Sequence, residues 1–356
     1  MADWLSSMQQ TFEYYTVDPN TWKNVDRLTN VKSCTITRDL EAQTLGSATI
    51  DVTESIGESY IRVYLVTLQN GVTEKHPLGT FLVQTPASSF NGKVRNITMD
   101  AYTPLLELKE KQPPLGYSLL KDANIMNEAY RLTRENVRAP VVEATCDSKL
   151  TRDFVSDTSD TWITFLSDLI TNAKYSFDLD ELGRILFAPK QELASLQPVW
   201  TYDDGEQSIL YHDVSLDHDL YGIPNVVEVI CSSGSEYNNE MYYSRVVNDD
   251  KNSPVSTVSR GREIVYRVTD PGFIAAPTSK QVELYANQLL KELSSIKYTV
   301  SYTHGYCGTR LGDCIRLNYS RAGLNNIKAK IISQSIKCVP GCPVTEKAIF
   351  TNKLWG

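Results

Sequence analysis

Four histidines, His76, His212, His218 and His304, are the first residues to test for acid–base or metal chemistry. None stands in a His-Glu-x-x-His or His-x-His pattern, the spacings that set two imidazoles on one ion. His212 and His218 share a face of an extended segment but lie about 20 Å apart at ~3.3 Å per residue, too far for one metal unless the chain turns back at Ser215. All four read as structural or surface residues. The acids gather as Asp178, Asp180 and Glu181, as Asp203 and Asp204, and as Asp249 and Asp250. A glycosidase needs two carboxylates facing each other across a cleft. These clusters fall in turn-like stretches, where Asp is favoured for its local hydrogen bonds. Asp-x-Asp-Glu at 178–181 also lacks the Gly and the terminal bidentate Glu of a calcium loop. No Gly-x-Ser-x-Gly elbow, P-loop or Gly-x-Gly-x-x-Gly occurs. The expectation is therefore no catalytic residue, no cofactor and no enzyme.

Seven cysteines, an odd number with the first three scattered, argue against a disulfide framework. Cys307, Cys314, Cys338 and Cys342 form Cys-x6-Cys and Cys-x3-Cys pairs and are the zinc candidates. Only the second pair has knuckle spacing. The competing reading is that strand cysteines pack as small apolar side chains. A Cys338–Cys342 disulfide and two free thiols both remain open. Twenty tyrosines and five tryptophans raise the prospect of contact surfaces, for instance at YNNEMYYSR (237–245) and VWTYDD (199–204). Ordinary sheet packing is the competing reading there.

At 356 residues the chain should hold two to four domains. No run approaches the ~20 apolar residues of a membrane helix. The start, MADWLSSMQQTFEYY, has no basic segment followed by an apolar run, so folding in cytoplasm is expected. The net charge of −8 comes without a basic stripe, which argues against a free nucleic-acid binder. A negative wall would still let DNA slide past without sticking.

The elements that must position any site are mostly strands. Residues 1–32 read as a polar and aromatic arm with a turn at Asp18-Pro19-Asn20, its aromatics packing on a neighbour or folding back onto their own domain. SCTITRDLEAQTLGSATIDVTE reads as two strands, with Cys34 and Ile36 on one face of the first and Ala48, Ile50 and Val52 on one face of the second. YIRVYLVTL (60–68) is apolar on both faces and should be central, followed by an Asn70-Gly71 turn. GTFLVQT and VRNITMDAY follow, with a turn around Asn91-Gly92. PLLELKEKQPPLGYS is a Pro-rich boundary. Beyond it a helix is predicted from Leu119 through Tyr130, a strand at RAPVVEATC, and a helix capped by Asp160 with Trp162, Phe165, Leu166, Leu169 and Ile170 on one stripe. A hairpin should turn at Asp180 to Gly183. Strands return from Tyr211, then a helix with capping-box spacing at Thr278 and Gln281, then a terminal meander around a small barrel. The result is a mainly β, α+β chain with boundaries at 1–104, 105–198, 199–304 and 305–356. The two β regions could be duplicates, on a similarity too weak to prove a repeat.

LGTFLVQTPASSFNGKVRNITMDAYTPLLELKEK resembles the first domain of the baseplate hub, or tail-tip hub, proteins of long-tailed bacteriophages and related contractile particles. The carrying residues are Gly79 to Val83 and Asp100-Ala101-Tyr102, with Thr103 where the family pattern has Asp. SCTITRDLEAQTLGSATIDVTE resembles the family's first strand pair. RLGDCIRLNYSRAGLNNIKAKIISQSI, with its Leu311-Gly312-Asp313 turn, is similar to its C-terminal hairpin. The resemblance implies two tail-tube-like β-barrel or sandwich domains (1–104 and 199–304), an inserted α+β domain and a C-terminal small β-barrel piece. It further implies a homotrimeric, pseudo-sixfold ring in the virion tail tip. That ring would contact a tail-tube or distal tail protein, a tape-measure protein and spike or fibre proteins, and DNA would pass through it. Any lytic activity would then come from another polypeptide. The alternatives are a tail-tip carbohydrate-active enzyme and a carbohydrate-binding adhesin module.

Overall fold

Hydrophobic alternation in the first hundred residues becomes one antiparallel sheet in the computed structural model. The structure describes residues 2–90, 92–93, 95–206, 208–218, 220–232, 240–269, 271 and 277–353. Asn91 of the expected turn and residues 237–239 of the tyrosine-rich stretch lie outside the described residues. The chain divides into two units, Met1–Val214 with Ser301–Ala348, and Ser215–Val300 with Ile349–Gly356.

The first unit opens with β1 (Gln9–Val17), β2 (Asn24–Leu28), β3 (Val31–Asp39), β4 (Gly46–Val52), β5 (Tyr60–Gln69), β6 (Val72–Phe90) and β7 (Arg95–Tyr102). They lie in the order β3-β4-β7-β6-β5-β1-β2. The opening pair is as expected: Cys34, Ile36, Ala48, Ile50 and Val52 enter one core. β5 is central, with Ile61, Val63 and Leu65 in that core and Tyr60 in a smaller one on its other face. Gln69 pairs with Val72 across Asn70 and Gly71, both at positive φ (52° and 77°). The arm folds back on its own sheet: Tyr14 is buried and Trp4 and Phe12 pack on the main core.

The insert follows as α1 (Leu106–Glu110), β8 (Ser118–Leu119), α2 (Ile125–Asn136), β9 (Phe154–Val155), α3 (Trp162–Asn172), β10 (Tyr175–Leu179) and β11 (Ile185–Pro189), around its own core. α2 starts later than expected because Leu119 pairs with Phe154 in a short sheet and Asn124 takes the cap, accepting the Asn127 N–H at 3.0 Å. α3 is capped by Thr161 rather than Asp160. RAPVVEATC makes only a single bridge, Val141 to Ile185.

β12 (Trp200–Asp203) and β13 (Leu210–His218) lead toward the second unit. That unit holds β14 (Val226–Ser232), β15 (Met241–Val247), α4 (Thr257–Arg260), β16 (Val265–Thr269) and α5 (Ser279–Leu293). α5 is capped as expected: the Thr278 hydroxyl accepts the Gln281 N–H at 3.3 Å. Val282, Ala286 and Leu290 pack on Val227, Val229 and Cys231 of β14. The chain returns as β17 (Ser295–Gly305), β18 (Cys314–Tyr319), β19 (Leu324–Lys337) and β20 (Pro343–Lys353).

The expected barrels are corrected by the topology. Among the described residues the long sheet is an open path, β13-β17-β20-β19-β3 continuing to β2, with β18 joining β19 to β12. Closure needs the end strands to pair, and β2 (NVDRL) is short, polar and mostly exposed, a composition that blocks edge pairing. The terminal meander is part of this sheet rather than a separate barrel, because β19 pairs with β3 from Ser333↔Asp39 to Lys337↔Thr35.

Candidate functional site

The acidic run 178–181 lies at the β10–β11 turn, which is built to dock. Asp180 Oδ1 accepts the N–H groups of Leu182 (3.0 Å) and Arg184 (2.8 Å) and closes the turn. The Leu182 carbonyl accepts from Trp22 Nε1 (2.8 Å), Arg62 Nη2 (3.0 Å) and Thr80 Oγ1 (2.9 Å). Gly183, at φ +77°, permits this seating, since a Cβ there would lie 2.7 Å from Thr80 Cβ. Arg310 completes the contact, with Nε 2.6 Å from Glu181 Oε1 and Nη2 donating to Leu179 O at 2.6 Å. Burial raises the Asp178 carboxyl pKa and outweighs the attraction of Arg310. These acids hold an element in place. Asp203 and Asp250 likewise accept local N–H groups from Gly205 (2.9 Å) and Asn252 (2.9 Å).

A narrow cleft beside this turn is lined by Gly79 and Leu311 together with Arg38, Thr103, Asp178 and Arg310. Two of the family-like motifs thus meet there. A Cβ on Gly79 would stand 2.5 Å from Phe81 Cζ, so the residue leaves room for that ring. The remaining motif residues are sheet and turn. Val83 pairs with Ala101 and both enter the main core. Tyr102 packs on the smaller core, and exposed Asp100 accepts from Thr49 Oγ1 at 3.2 Å. Gly312 donates to Ile331 O at 2.9 Å, and Asp313 Oδ2 accepts the Arg310 N–H at 2.8 Å. Burial raises the Asp313 pKa.

The most concentrated polar group is one that motif reading passes over. His304 and Glu346 are fully buried, with Nε2 to Oε1 at 3.3 Å. His304 Nδ1–H donates to Gly305 O at 2.6 Å, and Nε2 lies 3.0 Å from the Tyr202 hydroxyl. Glu346 accepts from Tyr302 (2.6 Å), Thr309 (2.7 Å) and Gln334 Nε2 (2.6 Å). Arg38 Nη1 donates to Gln334 Oε1 at 3.0 Å and ties the network to the cleft. Burial alone would lower the imidazole pKa, but hydrogen bonds to Cys307 and Glu346 and the Glu346 charge outweigh it and push it up to about 10. Burial likewise opposes ionisation of Glu346, and the hydrogen bond and charge of His304 win and hold its pKa below the usual value. The pair is fully buried and, through Tyr302, Gln334 and Thr309, ties β17, β19, β20 and the loop after β17 together. One signal was present in the sequence. YTVSYTH puts Val300, Tyr302 and His304 on one face, and Glu346 alternates with Val344 and Ala348.

The four zinc candidates are distributed. Cys307 borders the His304 network, with Sγ 3.3 Å from the Tyr202 hydroxyl. Cys314 is buried on β18. Cys338 and Cys342 are free thiols in the main core beside Cys34. The hydrogen bond with Cys34 and burial keep the Cys338 thiol protonated, and burial does the same for Cys342 and raises the Cys314 pKa. Among the described residues no three His, Cys, Asp or Glu side chains converge as metal ligands. His76 stacks edge-on with Trp4, and the His218 side chain lies outside the described set.

No family model and no curated protein matches the chain. Solved structures do. A tail protein from Neisseria meningitidis MC58 matches over 97% of this chain and 98% of its own, with a TM-score of 0.64 at 11% identity. The 43 kDa tail protein of prophage MuSo2 from Shewanella oneidensis matches over 95% and 98%, with a TM-score of 0.64 at 10% identity. The chain has the fold of phage tail proteins. A chain of a PdpA–VgrG complex also matches, over 98% of this chain and 66% of that one, with a TM-score of 0.57 at 10% identity. At such identities the likeness is one of fold, and it agrees with the resemblance carried by the strand motifs. The tail-protein fold spans the β regions and the insert together, since coverage is nearly complete in both directions for the first two.

Proposed function

We propose that this protein is a structural hub of a phage tail tip or baseplate. Three copies form a pseudo-sixfold ring that joins the tail tube to the tip or spike and lets DNA pass. The observation that carries this reading is the end-to-end fold match with two tail proteins of nearly the same length. In this reading residues 1–104 and 199–304 are the two tube-like domains, 105–198 the insert and 305–356 the closing β segment. Gly79, Val83, Asp100, Ala101, Tyr102 and the 311–313 turn serve the ring as structural residues. Its neighbours are a tail-tube or distal tail protein, a tape-measure protein and spike or fibre proteins, and it assembles in the host cytoplasm. The net charge of −8 per copy suits a passage that DNA crosses without binding.

The test is mass in solution by light scattering across a dilution series, with negative-stain imaging of the same samples. The expected result is a trimer with a central hole, alone or once tail-tube or tape-measure protein is added. A chain that stays monomeric with both partners present overturns the hub reading. So does glycan turnover by the purified protein, which would return the acidic clusters to consideration as catalytic groups.

A further inference from the structure

A second surface of the first unit has a chemistry of its own. β1 pairs with β5 along its whole length, from Gln9↔Leu68 to Val17↔Tyr60. On its other side β2 reaches only Tyr14 to Val17. Among the described residues no strand covers the outer edge of Gln9–Glu13. In an antiparallel ladder alternate residues of such an edge point both N–H and C=O outward. Beside this edge runs a groove of about 580 Å³, walled by Trp4, Gln10, Thr11, Tyr306, Pro340 and Gly341 among others, and no lining residue is charged. That volume is in the range of built binding sites. The free edge ends at Glu13, where Arg27 (3.2 Å) and Lys75 (2.6 Å) pair with its carboxylate.

We propose that this groove receives an extended, uncharged polypeptide segment of a partner protein, which adds as a strand to the Gln9–Glu13 edge. Main-chain hydrogen bonds supply the affinity of such strand addition, and side-chain pockets supply its selectivity. The open backbone selects a chain in β conformation. The uncharged walls select a neutral one, since an ion pressed there would lose its hydration without a counter-charge. A sugar ring would leave the outward N–H and C=O groups of the strand edge without the regular partners that a second strand supplies. The proposal stands apart from the hub reading, since neither ring formation nor tail identity enters it.

The test uses the full chain and a panel of capped nine-residue strand peptides, TVQTXTQVT, with Phe, Leu, Gly or Asp at the centre. Proline replaces alternate residues in a control that cannot extend a sheet. The readout is amide hydrogen exchange of residues 9–13. The Phe or Leu peptide should slow the outward amides at least tenfold, the Asp peptide should bind at least tenfold more weakly, and the proline control should do nothing. Thr11 is exposed, so Thr11→Arg should keep the circular dichroism and melting of the parent chain and lose the protection. Four results overturn the proposal: no protection by any peptide, protection that survives Thr11→Arg, protection by a neutral oligosaccharide instead, or protection that rises with the chain's own concentration and marks a second copy as occupant.

Discussion

His304 and Glu346 form a buried pair in which each partner's charge is tolerable only because the other is present. Removing one partner of such a pair typically costs about 3–5 kcal/mol, whereas replacing both with apolar groups is often close to neutral. His304→Leu and Glu346→Leu should therefore each destabilise the chain by roughly that amount, and the two together by clearly less than the sum of the singles. Urea melts of the four proteins check this, and additive effects would show that the two groups act independently. The pH dependence has a definite sign. A folded His304 pKa near 10, above its ordinary 6.5, gives stability that is full below about pH 6.5 and lost as pH rises through 10. Glu346, held below 4.5, gives stability that is full above that value and lost as pH falls through its folded pKa. The parent chain should thus lose this contribution at both ends, and the doubly substituted chain should have a flatter melting-temperature profile there. This pair was only half legible in the sequence. Strand alternation marks His304 and Glu346 as inward, but nothing local shows that residues 42 positions apart, at 304 and 346, share one hydrogen-bond network.

Elements that close on their own neighbours were readable, and those that depend on distant partners were not. The Asn70-Gly71 hairpin, the 180–183 turn and the Thr278 cap are each specified within a few residues. The late start of α2 and the parallel pairing of β14 with β16 depend on segments about thirty residues or more away. Docking of the β10–β11 hairpin belongs to the second kind, because three donors from β5, β6 and the β1–β2 turn converge on one carbonyl. Gly183→Ala puts a Cβ into Thr80 on a left-handed backbone, so it should cost about 1–3 kcal/mol and raise the rate of proteolysis at the turn. Trp22→Phe removes one donor of three and should cost about 1 kcal/mol. Unchanged melting and proteolysis in both variants would show that the hairpin is not held by this docking. On α5, Thr278→Ala removes the cap and should cost about 1 kcal/mol.

At the scale of the molecule the two units differ in what holds them. The first contains the main sheet core, the insert core and the buried ion pair. Among the described residues, the second has a cluster in which α5 packs against β14 and β15, with six residues buried. Small cores leave little free energy after the entropy of ordering the chain is met. Local opening should therefore begin in the second unit, where amides of β14 and α5 should exchange at a lower free energy than those of β4, β5 and β7. Thr278→Ala should lower protection in the second unit only, and Glu346→Gln in the first. A single global exchange free energy for all these strands, moved equally by both substitutions, would show that the units do not open separately. The same measurement bears on assembly. If the ring forms as proposed, trimerisation binds the folded state alone and should raise protection most in whichever unit supplies the interface, by an amount that grows with protein concentration. A second unit that stays equally labile in monomer and trimer would place the ring contacts in the first unit.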